Sequence, residues 1–356
     1  MSNDHYVLPF TQINQAAFAR VGGKCASLGE MTQAGIDVPA GYAVTTDAFA
    51  AMLDTHALRE EIATHLINLD TDDLQALEQS ASAIQQCIQS KDLPAEIITA
   101  IKDAYHSLGD NLPVAVRSSA TAEDLPDASF AGQQDTYLWV CGADNVVDKV
   151  RECWGSLFTA RAIAYREKNN IPHHDVLMSV AVQKMVNARC AGVAMTLDPA
   201  NGDRTRIVID SSWGLGETVV SGTVTPDHYV VEKVLQEILS RKISDKHMEM
   251  VGDTASGSAV ECDVDEARRN VSSLTDKEVL AVAMLAKKLE QLNKCPQDVE
   301  WALDADLPDG SNLMALQSRP ETVWSQKKKE KTTSDYSSGI MSIASTLMTP
   351  YGTKKN

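Results

Sequence analysis

An α+β fold with a helical N-terminal flank is predicted by three features of the 356-residue sequence. Helically spaced apolar residues fill much of the first hundred positions, short β-rich runs separated by Gly, Pro, Asn and Asp begin at Leu177, and a capped helix followed by two strand-like pieces comes last.

Taken in order, a glycine-rich turn at Gly22-Gly23 leads into the helical flank, with Thr46 or Asp47 expected to cap one helix and apolar spacing continuing through Leu66 to Ile88. Leu112 to Ser119 reads as a short strand that runs into a polar loop. After it, Val147, Val150, Trp154, Leu157, Phe158 and Tyr165 form one long amphipathic segment with its aromatic residues in the core. The β-rich part offers Val180 to Val186, Gly192 to Leu197, Arg206 to Ile209 and His228 to Val231. The capping-box pattern Thr275-Asp276-Lys277-Glu278 opens a helix to about Asn293, and Val299 to Leu303 and Leu313 to Gln317 then form a hairpin. Beyond Trp324 the chain is rich in Lys, Ser, Thr and Gly, which suits a mobile tail or a docking segment. The domain division expected is 1–186, 187–325 and 326–356, with no internal repeat.

Composition narrows the function classes. A net charge of −17 argues against a general nucleic-acid surface, so a phosphate ligand must meet a few local cations. No apolar run approaches the ~20 residues of a bilayer span, and the first 25 residues lack a signal pattern, so a cytoplasmic, membrane-free protein is expected. Seven scattered cysteines without a C-x-x-C pair suggest reduced thiols rather than a disulfide framework or a zinc site.

Three segments carry candidate chemistry. Gly22-Gly23-Lys24 before a helix can offer backbone N–H groups and an ammonium to phosphate oxygens, although the spacing is not that of a Walker A loop and a plain turn is the alternative. Arg117 ends a strand before a loop dense in Ser and Thr, closed by Gly132 and followed by Thr136. That arrangement can grip a polyphosphate or be a self-capped surface loop. Glu300 and Gln317 fall on neighbouring strands, where a carboxylate and an amide oxygen suit Mg²⁺, and Arg319 lies two positions on, on the same face; an exposed polar strand pair is the alternative. Less decisively, Gln183-Lys184-Met185-Val186 could meet an adenine edge, and Gly214-Leu215-Gly216-Glu217 could lie over a nucleotide.

In combination and in this order, GGKCASLGEM, GIDVPAGYAVTTDAF, PVAVRSSATAEDLPDASFAGQQDT, VQKMV, GVAMTLDP, SWGLGE, DVEWAL and LQSRP resemble the N-terminal domain of the phosphoenolpyruvate synthase and pyruvate phosphate dikinase family, which rifampicin phosphotransferase shares. The resemblance runs from about Phe10 to Trp324. It implies an ATP-grasp fold of two lobes enclosing the nucleotide, with ATP and Mg²⁺ as cofactors. Residue by residue, it implies that Lys24, Arg117 and Arg319 bind phosphates, that Glu300 and Gln317 hold Mg²⁺, that Gly132 and Thr136 shape the phosphate loop, and that Gln183, Met185 and Val186 face the adenine. The implied reaction moves the β-phosphoryl group of ATP to a histidine, leaving AMP and phosphate, by positioning and charge neutralisation.

The family's Gly-Gly-x-Thr-[Cys/Ser]-His context surrounds none of the eight histidines, and the pyruvate-binding barrel is missing from the sequence. The expectation is therefore a subunit that works with a histidine-bearing partner. The small subunit of phenylphosphate synthase, which activates phenol, is of similar size. The nucleotide domain of phosphoenolpyruvate synthase, with pyruvate as acceptor, is the alternative, and a regulatory ATP sensor is a third reading.

Overall fold

The computed structural model describes residues 5–120, 124–125, 128–129, 136–173 and 176–325, and its fold is α+β. In chain order the elements are β1 (Val7–Pro9), α1 (Phe18–Gln33), β2 (Gly41–Val44), α2 (Thr46–Thr55), α3 (Leu58–Leu66), α4 (Leu74–Ser90), α5 (Ala95–Leu108), β3 (Val114–Ala120), β4 (Asp124–Leu125), β5 (Ala128–Ser129), β6 (Thr136–Val140), α6 (Ala143–Ser156) and α7 (Ala160–Lys168). There follow β7 (Met178–Lys184), β8 (Ala188–Met195), β9 (Arg206–Trp213), α8 (Glu217–Val220), β10 (Asp227–Glu232), β11 (Glu237–Lys242), β12 (Met248–Asp253), β13 (Ser258–Asp263), α9 (Glu266–Arg269), α10 (Asp276–Asn293), β14 (Gln297–Asp304) and β15 (Leu313–Pro320). The expected 326–356 tail and Gly132 lie outside the described residues.

Two antiparallel sheets organise these elements. One has the order β1-β2-β7-β3-β6 and the other β11-β10-β9-β8-β14-β15. Helices α2 to α7 cover one face of the first sheet, burying Phe49, Ile84, Ile101 and Trp154 against Val116, Val180 and Val182. The Phe49 and Trp154 rings stack at 5.1 Å. A second core joins Ala43 and Ala181, on the opposite face of that sheet, to Val21, Cys25 and Leu28 of α1 and onward to Ile209, Trp301 and Val282 of the second sheet and α10. α1 is thus packed between the two sheets and touches both.

Local chemistry accounts for most boundaries. Thr275 closes a full capping box with Glu278 at the start of α10, as its sequence pattern predicts. The expected cap at Thr46 or Asp47 is a correction: Thr45 occupies the N-cap of α2, Thr46 is the first helical residue, and Asp47 is drawn off by Arg20, whose Nε lies 2.7 Å away. The long amphipathic segment is likewise two helices, because Thr159 leaves the helical backbone and caps α7 by accepting from the Ala162 amide. All seven cysteines are free thiols. Among the described residues no helix is long and apolar enough to cross a membrane.

The second sheet also contains a fully buried ion pair. Lys246 Nζ lies 2.6 Å from Asp227 Oδ1, with neither side chain exposed. The amides of Ser244 and Ser273 and the Ser273 hydroxyl donate to the same carboxylate, and Lys246 also donates to the Ser244 carbonyl. One carboxylate therefore fastens two loops to the start of β10.

Candidate nucleotide site

The placement of α1 is set by a few contacts. Gly22 adopts φ +69° and breaks the helix there, so that the chain passes under Ser119: a Cβ at Gly22 would sit 2.3 Å from the Ser119 carbonyl oxygen. Ser119 Oγ in turn donates to the Val21 carbonyl and accepts from the Cys25 amide. At the other end Ser27 donates to the Ser318 carbonyl of β15 at 2.8 Å. Gly22→Ala is expected to lose on the order of 2 kcal/mol or more in urea denaturation, while Gly35→Ala, at φ +66° but with nothing within 4 Å, loses only the left-handed penalty of about 1 kcal/mol.

This wedge of α1 opens a cavity of about 690 Å³, within the size range of small-molecule sites. Nine of the ten residues singled out from the sequence line it: Lys24, Arg117, Thr136, Gln183, Met185, Val186, Glu300, Gln317 and Arg319. The tenth, Gly132, is not among the described residues. Ala188, Ala191, Ala302 and Leu316 give one part of the lining an apolar character next to Met185 and Val186. The amides of Lys184 and Met185 are already bonded to the carbonyls of Ala40 and Pro113, so those two donors hold the strand and are not open to a ligand.

The other part is polar. Glu300 of β14 and Gln317 of β15 are direct cross-strand partners, so their side chains share one face of the sheet. Both reach Arg117 of β3: its Nη2 lies 3.0 Å from Glu300 Oε2 and 2.9 Å from Gln317 Oε1. The Arg117 side chain is only 14% exposed, and its Nε is buried without a hydrogen-bond partner among the described residues. A guanidinium with an unspent buried donor can accept an anion at small cost. Lys24 Nζ donates to the Ser118 carbonyl at 2.6 Å, which brings its charge to the end of the same strand. Arg319 is half exposed, with Nε 3.6 Å from Asp298.

Asp298, which the sequence reading did not single out, does not line the cavity but pairs with Arg319, which does. It lies two positions before Glu300 and opposite Arg319 in the register, so the D-x-E spacing on a strand is the signal that could have found it. Burial pushes its carboxyl pKa up, the nearby Arg319 pulls it down, and Glu321 pushes it further up. Ser27 and Leu138 were given no role either, since only the fold brings them to the cavity. Among the described residues no histidine lines the cavity, and no group of three His, Cys, Asp or Glu is able to hold a metal alone. A divalent cation fits Glu300 and Gln317 in one sense: their hard oxygen donors already converge on a single cationic nitrogen, and the rest of a Mg²⁺ shell would come from water and ligand phosphate.

An apolar lining that gives way to three cations beside a carboxylate–amide pair has the chemical make-up of a site for a phosphorylated nucleotide. The sequence agrees: residues 18–339 match the family described as pyruvate phosphate dikinase, AMP/ATP-binding domain, and the chain belongs to that family. A protein named "Probable phosphoenolpyruvate synthase" from Staphylothermus marinus is 43% identical over 92% of this chain and 42% of its own length. Its namesake from Methanothermobacter thermautotrophicus is 43% identical over 91% of this chain and 47% of its own. "Phosphoenolpyruvate synthase" from Aeropyrum pernix is 41% identical over 91% of this chain and 43% of its own. The chain thus spans less than half the length of these curated relatives. They support the phosphoenolpyruvate synthase alternative better than the phenol-phosphorylating reading.

Proposed function

We propose that this chain binds Mg-ATP in the cavity between its two sheets and supplies the nucleotide half of a dikinase-type phosphoryl transfer of the phosphoenolpyruvate synthase kind. In this reading the fold is an ATP-grasp, residues 1–186 and 187–325 are its two lobes, and 326–356 is a tail or docking segment. The observation that carries it is the convergence of Glu300 and Gln317 on Arg117 at 3.0 and 2.9 Å beside an apolar pocket lining.

The roles follow from the chemistry of the side chains. Met185, Val186 and Gln183 border the base, while Thr136 and Gly132 belong to the segment around the phosphates. Lys24, Arg117 and Arg319 neutralise phosphate charge, and Glu300 and Gln317 would hold Mg²⁺, which when bound supplies charge stabilisation at the phosphate oxygens. Glu300 and Gln317 both accept from Arg117, so the guanidinium would turn to phosphate if a cation took its place between the two oxygens. The β-phosphoryl group would pass to a histidine in a Gly-Gly-x-Thr-[Cys/Ser]-His context, which none of the eight histidines here has, with AMP leaving as the α–β link breaks and one water cleaving the β–γ link to release the γ group as phosphate. That histidine-bearing partner would carry the group to pyruvate. A cytoplasmic setting and the absence of nucleic-acid or membrane partners belong to the same proposal.

The test is incubation of the chain with Mg²⁺ and ATP, with and without a protein bearing that histidine context, following AMP and acid-labile phosphoprotein. AMP together with phosphohistidine on the added protein supports the proposal, and ATP binding without either product contradicts the transfer step. Arg117→Ala is expected to weaken ATP binding or transfer by about 2–4 kcal/mol, the cost of a lost charge-assisted donor pair, as read by calorimetry and by AMP release.

A further inference from the structure

β6 leaves strand geometry at one residue. Trp139 adopts φ +63°, a left-handed conformation that is exceptional for a bulky side chain. The cause is a bulge: Val114 pairs with Val140 and Val116 with Tyr137, so Leu138 and Trp139 together oppose Ala115. Ala115, Thr136 and Leu138 all line the cavity. Trp139 itself is buried and packs on Gly252 so closely that a Cβ added there would meet indole Cε2 at 1.9 Å.

Gly252 belongs to β12, which forms with β13 a two-stranded hairpin that is part of neither large sheet. From there the hairpin reaches back to the second sheet. The Met250 carbonyl accepts from the Leu215 amide at 2.8 Å, and Gly214 bridges to Met250 so tightly that a Cβ at Gly214 would sit 2.3 Å from that carbonyl oxygen. Glu249 is held by Arg268, with Nη1 3.0 Å away, and the Arg268 guanidinium lies 4.6 Å from the centre of the Trp213 ring. Leu215, Gly216 and Glu217 line the same cavity as Leu138. One hairpin therefore touches β6 of the first sheet, at the neighbour of the cavity-lining Leu138, and the cavity-lining Leu215 segment that follows β9 of the second.

We propose that the β12–β13 hairpin is a strap that fixes β6 relative to the Leu215–Glu217 segment, with Trp139 and Gly252 as its positioning residues. Backbone strain of about 1–3 kcal/mol persists only where packing over-determines it, and the indole on Gly252 is that packing. The strap acts by setting the width of the cavity; that its occupant is ATP rests on the function proposed above.

Hydrogen exchange followed by mass spectrometry on the nucleotide-free chain tests the coupling. Gly252→Val, which lifts the hairpin off Trp139, is expected to speed exchange about tenfold in peptides spanning 136–140 and 213–218, with α4 and α5 unchanged as the control for global loosening. Trp139→Phe, which trims the overlapping ring, is expected to do the same to a smaller extent, and it decides the matter if Gly252→Val does not fold. Acceleration confined to residues 248–263, or equal acceleration in α4 and α5, would overturn the strap. ATP titration then reads the consequence: Kd should rise about tenfold in the variant while the melting temperature moves little. Unchanged Kd in a variant whose exchange has risen would refute width control, whereas failure of the wild-type chain to bind ATP would refute the nucleotide reading and leave the exchange result to judge the strap.

Discussion

Glu300→Gln is expected to erase the magnesium dependence of ATP binding. Glu300 and Gln317 share one nitrogen of Arg117, so with the proposed metal the carboxylate would have two competing cationic partners, the guanidinium and the ion. Replacing it with an amide removes the charged donor on which a hard divalent cation relies, and the metal's contribution to affinity should fall by at least about 100-fold. The same change loosens Arg117, whose Nε has no hydrogen-bond partner among the described residues. Binding of metal-free ATP should therefore hold or improve. Calorimetry of ATP with excess Mg²⁺ and with EDTA separates the two effects. A variant that loses both affinities equally would point to a structural role for Glu300, and one that keeps the full magnesium response would remove it from the metal site.

The largest effect on stability is expected at the Asp227–Lys246 pair. Removing one member leaves a fully buried charge without its counter-ion, which typically costs about 3–5 kcal/mol, so Lys246→Met and Asp227→Ala should each lower the urea midpoint sharply. The two are not equivalent. Asp227 also accepts from the amides of Ser244 and Ser273 and from the Ser273 hydroxyl. Its loss orphans those donors as well, so Asp227→Ala should cost more than Lys246→Met. By the same reasoning an apolar double replacement recovers only part of the loss, although apolar replacement of a buried pair is often neutral elsewhere. Equal and small losses for the two single variants would show that the pair is dispensable.

The sequence was most informative where a local rule decides the structure. The capping box at Thr275 and Glu278 specifies the start of α10, alternation specifies the hairpin, and from these Glu300 and Gln317 could be placed on neighbouring strands before any fold was known. It was least informative where a distant residue decides. Asp47 has the chemistry of a helix cap but is claimed by Arg20, 27 residues earlier, and the apolar spacing through Tyr165 gives no sign that Thr159 would restart the helix. Arg117 was legible as a cation at a strand end, whereas its ties to Glu300 and Gln317 span 183 and 200 residues and could not be. The bulge at Leu138 and Trp139 has no sequence signature, since a left-handed tryptophan goes against its own preference and is held there by Gly252.

The most direct test is a crystal structure of the chain with Mg²⁺ and a non-hydrolysable ATP analogue. The account predicts the base against Met185, Val186, Ala188 and Leu316, the phosphates among Lys24, Arg117 and Arg319, and a metal on Glu300 and Gln317 with Arg117 turned away from both. A nucleotide seated elsewhere, or phosphates bound with Arg117 still held between Glu300 and Gln317 and no metal on either, would contradict it.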